Sequence, residues 1–281
     1  MSEATTSGYT LIEAPRPKQR LVHVHADPNE LGRVYAADVA ILSNPANFAE
    51  TLDLTLPVAN ASLRWTDWAK SAHDDYERNR EWTVPRGALD MAGVVRHLDD
   101  VLPEDAIVCN GAGNFAAWVH RYYRYKRFGT QLAPASGAMG YGVPAAVAAK
   151  LRHPERIVLA FSGDGCFLMS GQELATAMQY GVAPVFIIVN NGMYGTIRMH
   201  QEREYPGRTI ATDILNPDFV AYAHAFGAHA EAVERTEDFP AAFERASNAG
   251  RAAVLELRVD PDAISPRTTI TEMRAKARAA N

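Results

Sequence analysis

The sequence predicts an α/β fold, a doubly wound parallel sheet with helices on both faces. The apolar runs IVLAF (157–161) and VFIIV (185–189) are hydrophobic at every position, as strands of a parallel sheet are when both faces are covered. Such runs alternate with helical patterns from residue 85 to residue 259. Each of these two runs ends in a glycine-containing loop, SGDGC and NNGMYG, at the strand ends where open parallel sheets bind ligands.

In chain order, residues 21–26 read as a strand, and Asp27, Pro28 and Asn29 open a short helix toward Gly32. A second strand at 39–42 precedes a helix at 45–54, which makes about one and a half β/α units and too small a core for an independent domain. Residues 61–82 place Trp65, Trp68, Tyr76 and Trp82 among many charges, which suits a partly exposed connecting helix, and the domain boundary falls near Thr83. From there the pattern is regular: helix 85–101, strand 106–110, helix 114–125, strand near 130–133, helix 143–152, strand 157–161, helix 171–180 and strand 185–189. Helix 218–226, a strand near Ala230, helix 237–248, strand 253–259 and a modest tail helix at 268–280 complete it. The segments so defined are 1–60, 61–84, 85–260 and 261–281, with no internal repeat or low-complexity tract.

Composition narrows the function. With 47% apolar and 22% charged residues the chain is an ordinary globular sequence, and a net charge of −5 gives no electrostatic case for nucleic acid or an anionic membrane. Cys109 and Cys166 are too few for a disulfide framework and fit a reducing compartment. The first eight residues carry no basic stretch followed by an apolar run, and no run of about 18 apolar residues occurs, so the expected location is cytoplasmic. His23, His25, His200 and His224 lack metal-ligand spacing and read as ordinary strand or helix residues.

The chemistry is concentrated in the two loops. Asp164 is flanked by Gly163 and Gly165, which let backbone approach a ligand, and Asn191 follows the second run 27 positions later (191 − 164). One strand-helix-strand unit therefore separates them, which can bring both oxygens to one sheet edge. Such oxygens suit Mg²⁺ or Ca²⁺. For octahedral Mg²⁺, Asp164, Asn191 and a backbone carbonyl near Met193 leave room for two diphosphate oxygens and a water. The exposed amides of Gly165 and Cys166 can donate to the phosphates. Read singly, Gly-Asp-Gly is a strand-to-turn signal and Asn-Asn-Gly a simple turn; the pairing after two buried strands favours the site.

The segment GDGCFLMSGQELATAMQYGVAPVFIIVNNGMYGTIR resembles the signature of thiamin-diphosphate-dependent enzymes, Gly-Asp-Gly followed after about 25 residues by Asn-Asn. The likeness is to the branch of acetolactate synthase, pyruvate oxidase, benzoylformate decarboxylase and related 2-oxo acid enzymes, and it runs from about residue 20 to residue 259. The resemblance implies the thiamin diphosphate-binding fold, preceded in 1–60 by the remnant of a Rossmann-like middle domain. It implies Asp164 and Asn191 as side-chain ligands of Mg²⁺, the carbonyl of Met193 as a third, and Gly163, Gly165, Cys166, Tyr194 and Gly195 along the diphosphate. The segment SGAMGYGVPAA (136–146) is similar to the family's stretch beneath the thiazolium ring. By that likeness Met139 wedges between the cofactor rings and the Gly137 carbonyl accepts from the pyrimidine amino group; the alternative is a glycine-rich turn with Met139 as core filler. GAGNFAAW (111–118) resembles a loop that touches the diphosphate, with Asn114 as the contact and Phe115 where relatives often carry histidine. Trp118, Tyr122 and Tyr123 read as packing or interface residues.

The resemblance also implies that the glutamate activating the cofactor comes from a pyrimidine-binding domain, so no catalytic residue is assigned within this chain. The expected function is the Mg²⁺- and thiamin diphosphate-binding portion of a 2-oxo acid carboligase or decarboxylase. Its expected partners are a small 2-oxo acid, further copies in a homo-oligomer, and a chain carrying the pyrimidine domain. Two alternatives stay open: a non-catalytic cofactor-binding module or fragment, and a nucleotide-binding domain that mimics the motif, against which the paired loops argue.

Overall fold

The computed structural model describes residues 12–55, 65–81 and 85–280, which divide into two compact units between residues 73 and 74. The expected boundary at Thr83 and the aromatic Trp82 lie outside the described residues. In the first unit, β1 (Val22–His25) pairs in parallel with β2 (Val39–Leu42), and α1 (Pro45–Thr55) follows. The expected helix after Asp27 is a run of turns instead: Asp27 Oδ1 accepts from both the backbone N–H and the side-chain amide of Asn29. That local bond competes with helix formation, and Gly32 at φ +78° closes the turn. The charged helix α2 (Thr66–Arg80) buries no residue and carries the chain across the division between the units.

The second unit is built on a six-stranded parallel sheet. Its helices and strands run α3 (Met91–Val101), β3 (Ile107–Asn110), α4 (Ala116–Tyr122), β4 (Gln131–Leu132), α5 (Gly142–Arg152), β5 (Val158–Gly163), α6 (Asp164–Phe167) and α7 (Leu174–Gln179). β6 (Val185–Asn190), α8 (Gly195–Glu204), α9 (Phe219–Ala225), β7 (His229–Val233), α10 (Phe239–Ser247), β8 (Ala253–Arg258) and α11 (Ile270–Ala280) follow. The strand order is β4-β3-β5-β6-β8-β7, every pair parallel. From β3 the chain moves outward to β4, and from β5 it moves the opposite way to β6. The carboxyl ends of β3 and β5 thus flank the crevice where connections diverge, the place open α/β sheets reserve for ligands.

Strand periodicity explains why the apolar runs lack alternation. Val108, Leu159, Phe161, Val185, Ile187 and Leu255 face one layer, packed with Val94, Leu98, Val119, Tyr122 and Phe239 from α3, α4 and α10. Their neighbours Ile107, Cys109, Val158, Ala160, Phe186, Ile188 and Val254 face the other, packed with Val143, Leu174 and Phe219 from α5, α7 and α9. Each fully buried large side chain contributes ~1.5–3 kcal/mol, so both layers add to the stability of the sheet.

Helix boundaries differ from the sequence reading where side chains intervene. α3 begins at Met91, not at residue 85, because Asp90 caps it by accepting from the N–H groups of Ala92 and Gly93. α4 is shorter at both ends: Tyr123 is extended at φ −86°, ψ 131°, and Asn114 is committed to Thr196. Two helices were not anticipated, α6 and α8. The sequence of α8, GTIRMHQERE, is polar on nearly every face, and its only buried residue is Glu202.

Candidate functional site

A cleft opens where β3, β5 and β6 end. It is lined by Asn114 and Phe115 after β3, residues 163–166 after β5, Asn191 and residues 193–197 after β6, with Trp118, Met139, Ala263 and Ile264 around them. Of the residues singled out from sequence, Asn114, Met139, Gly163, Asp164, Gly165, Cys166, Asn191, Met193, Tyr194 and Gly195 all line this cleft. Gly137 does not: it sits on an exposed turn at φ +67°, outside the lining.

Asp164 is the centre of the arrangement. β5 ends at Gly163, whose extended backbone (φ −69°, ψ 162°) turns the chain so that Asp164 opens α6 while remaining only 2% exposed. Its Oδ1 accepts from the Gly165 N–H at 2.9 Å, and its Oδ2 accepts from the Gly192 N–H at 2.9 Å and the Asn216 amide at 2.8 Å. All these donors are neutral. Burial pushes the carboxyl above its ordinary value, opposed by the Asn216 amide and by backbone N–H groups of Gly165, Gly192 and Met193. A buried carboxylate solvated by dipoles alone, beside an open cleft, is suited to a divalent cation. The Gly165 N–H, expected to be exposed for a phosphate, is here engaged with Asp164.

The surrounding loops are shaped by close approaches. Asn191 accepts the Met193 N–H at 3.2 Å, which curls the loop after β6 into the cleft, and Gly192 takes φ +67° to allow it. The Tyr194 ring lies so close to Gly165 that a Cβ there would sit 2.7 Å from its Cε1. Phe115 packs edge-on over Gly163, where a Cβ would be 3.1 Å from the ring, so this position is an apolar wall of the cleft and donates no hydrogen bond. Cys166 Sγ accepts the Gly140 N–H at 3.2 Å and docks the loop carrying Met139, which itself packs against the core. Burial lifts the Cys109 thiol to about 12, so at neutral pH it stays protonated in the core.

Several cleft residues were not legible in the sequence. Thr196 donates to Asn114 Oδ1 at 2.9 Å and receives the Asn114 N–H at 3.2 Å, joining the loops after β3 and β6. Ile197, Ala263 and Ile264 complete the apolar side, Ile264 through a small cluster with Met193, Met199, Ile270 and Met273. Asn216 precedes Pro217 and the N-cap Asp218, so its context reads as a helix start and nothing in it points back to Asp164. Trp118, read as packing, both packs in the core and lines the cleft. Among the described residues no group of three His, Cys, Asp or Glu side chains could hold a metal.

Comparison with known proteins agrees with this geometry. Residues 111–257 match the family model described as thiamine pyrophosphate enzyme, C-terminal TPP binding domain. The chain is similar to the acetolactate synthase large subunit of Parasynechococcus marenigrum (strain WH8102), 35% identical over 216 residues, covering 75% of this chain and 34% of that protein. It is also similar to the acetolactate synthase large subunit of Corynebacterium glutamicum, 31% identical over 263 residues, covering 90% of this chain and 42% of the relative. Among solved structures it resembles the thiamine diphosphate-dependent 4-hydroxybenzoylformate decarboxylase of Rhodococcus jostii RHA1, with a TM-score of 0.72 and 30% identity, covering 87% of this chain and 45% of that one. The chain thus spans between a third and a half of the length of these relatives. With the family model spanning the loops after β3, β5 and β6 that meet in one cleft, the chain belongs to the thiamine pyrophosphate enzymes, in which it represents the C-terminal TPP-binding domain.

Proposed function

We propose that this chain is the Mg²⁺- and thiamin diphosphate-binding portion of a 2-oxo acid carboligase or decarboxylase. The observation that carries the reading is the buried Asp164 carboxylate, held by neutral donors at the divergence of the sheet connections, with Asn191 and Met193 lining the same cleft. In this reading Asp164, the Asn191 side chain and the Met193 carbonyl hold the cation, and Gly163, Cys166, Tyr194, Gly195 and Asn114 flank the diphosphate. The cleft is otherwise lined by Phe115, Trp118, Met139, Ile197 and Ile264, an apolar surround in which electrostatic interactions are stronger than in water. When bound, the cofactor supplies the electron sink that stabilises the carbanion left by loss of carbon dioxide from a 2-oxo acid. The residues of this chain position it; the activating glutamate belongs to a pyrimidine-binding domain.

The substrate as a 2-oxo acid, assembly with further copies or with a chain bearing the pyrimidine domain, and a cytoplasmic setting are parts of the same proposal. Among the described residues no helix is long and apolar enough to cross a membrane. The test is calorimetry with thiamin diphosphate and Mg²⁺ on the chain and on Asp164→Ala. Binding that requires Mg²⁺ and is lost in the variant is expected, and tight binding retained by Asp164→Ala removes the ligand assignment. Preference for ADP over thiamin diphosphate would instead support a nucleotide site. Binding with no 2-oxo acid turnover beside any pyrimidine-domain partner would leave a non-catalytic module.

A further inference from the structure

Between Gly192 and Asn216 the chain leaves the sheet edge, forms α8, and returns, and both ends of this excursion close on the same carboxylate. Gly192 donates its N–H to Asp164 Oδ2 at 2.9 Å, and Asn216 Nδ2 donates to the same oxygen at 2.8 Å. The returning stretch is zipped to the departing one, with the Tyr194 N–H on the Thr212 carbonyl at 2.8 Å, the Ile214 N–H on the Gly192 carbonyl at 2.9 Å, and Met193 bridged to Asp213.

The Asn216 amide has only one orientation available. Its nitrogen lies between Asp164 Oδ2 and Asn190 Oδ1, at 2.9 Å from the latter, so a reversed amide would set oxygen against two acceptors. Asn190 is itself fixed, because its Nδ2 donates to the buried Glu256 at 2.6 Å, and Glu256 in turn accepts from Arg258. Asn216 Oδ1 is consequently turned away from these groups, buried and without a hydrogen-bond partner. The two hydrogen bonds of the nitrogen to buried acceptors offset the cost of leaving that oxygen unpaired.

We propose that Asn216 is a positioning residue which aims the Asp164 carboxylate and couples cation binding to closure of the excursion from Gly192 to Asn216. Its nitrogen holds Asp164 Oδ2 and the closed loop together, so a cation on that carboxylate and the closed loop favour the same arrangement. This inference rests on the cation assignment above, and the two fail separately. Binding of Mn²⁺ in the presence of thiamin diphosphate is followed by electron paramagnetic resonance in the wild-type chain, Asn216→Leu and the milder Asn216→Ser. Amide exchange at Gly192, Tyr194 and Ile214 is followed with and without the ligands, and amides of β8 report the global fold.

The wild type is expected to gain protection at the three loop amides when loaded. Asn216→Leu should lose about ten- to a hundredfold in Mn²⁺ affinity, as for other residues that orient metal ligands, and should lose the ligand-induced protection while β8 stays unchanged. Asn216→Ser should fall between. A merely structural role would lower β8 protection in step and leave the ligand-induced increment intact, which overturns the proposal, as do Mn²⁺ affinities within twofold of wild type in both variants. If the wild type takes up no Mn²⁺, the cation assignment falls and the coupling falls with it; the exchange data without ligand then still show whether Asn216 closes the loop.

Discussion

Replacing Arg274 by methionine tests how α8, which forms one side of the cleft, is held. Glu202 in α8 is fully buried, and its carboxylate accepts from Arg274 Nε at 2.8 Å, from a second Arg274 nitrogen, and from the Gly207 N–H at 2.8 Å. Removing one partner of a buried ion pair costs about 3–5 kcal/mol, because the remaining charge stays desolvated. Here the Gly207 N–H remains and the Arg274 side chain is 38% exposed, so water can reach its place; the lower end applies. A loss of about 3 kcal/mol corresponds to roughly 150-fold in the equilibrium for local opening. Native-state hydrogen exchange at Tyr205, whose N–H donates to the Gln201 carbonyl at 2.7 Å, reads that opening directly. The Arg274 hydrogen bonds hold the Glu202 carboxyl below its ordinary value. A depressed folded value means the pair stabilises fully above the unfolded value of about 4.3 and its contribution is lost as pH falls through the folded value. Wild-type protection of α8 should therefore fade in acid below about pH 4.3, while Arg274→Met, already lacking the pair, shows a flatter profile. The double variant Glu202→Leu/Arg274→Met should recover most of the loss. An Arg274→Met effect below about threefold at Tyr205 (~0.6 kcal/mol) would refute the reasoning.

The remaining predictions concern glycines whose hydrogen faces something that either can or cannot yield. Gly142→Ala places a Cβ 2.9 Å from the Gly111 nitrogen, 3.1 Å from the Asn110 carbonyl carbon and 3.2 Å from the Phe161 oxygen, all backbone of the central strands and the loop after β3. Stability should drop by about 1–3 kcal/mol, read as a lower urea midpoint. Gly165→Ala meets side chains first, Tyr194 at 2.7 Å and Ile214 at 3.0 Å, and the Tyr194 ring lines the cleft and can yield into it. The urea midpoint should stay near wild type while thiamin diphosphate affinity by calorimetry falls about tenfold, the cost of displacing a cleft wall by about 1.4 kcal/mol.

What the sequence determined by itself was whatever depends on local pattern. The wholly apolar runs at 157–161 and 185–189 named the buried strands, and the glycine-flanked Asp164 and the paired Asn190 and Asn191 marked their ends. Both are legible because burial on two faces and a tight turn each leave a signature within a few residues. The helix expected after Asp27 failed for an equally local reason, an aspartate side chain that binds its own backbone two residues on. Only the tertiary structure decided which distant residues complete the site. Thr196 reaches Asn114 across 82 positions, Asn216 reaches Asp164 across 52, and Arg274 neutralises Glu202 across 72. Each is a single polar side chain whose role is set by what the sheet order and the return of α8 bring beside it, and a hydrogen bond between remote segments leaves no periodicity for a sequence to show.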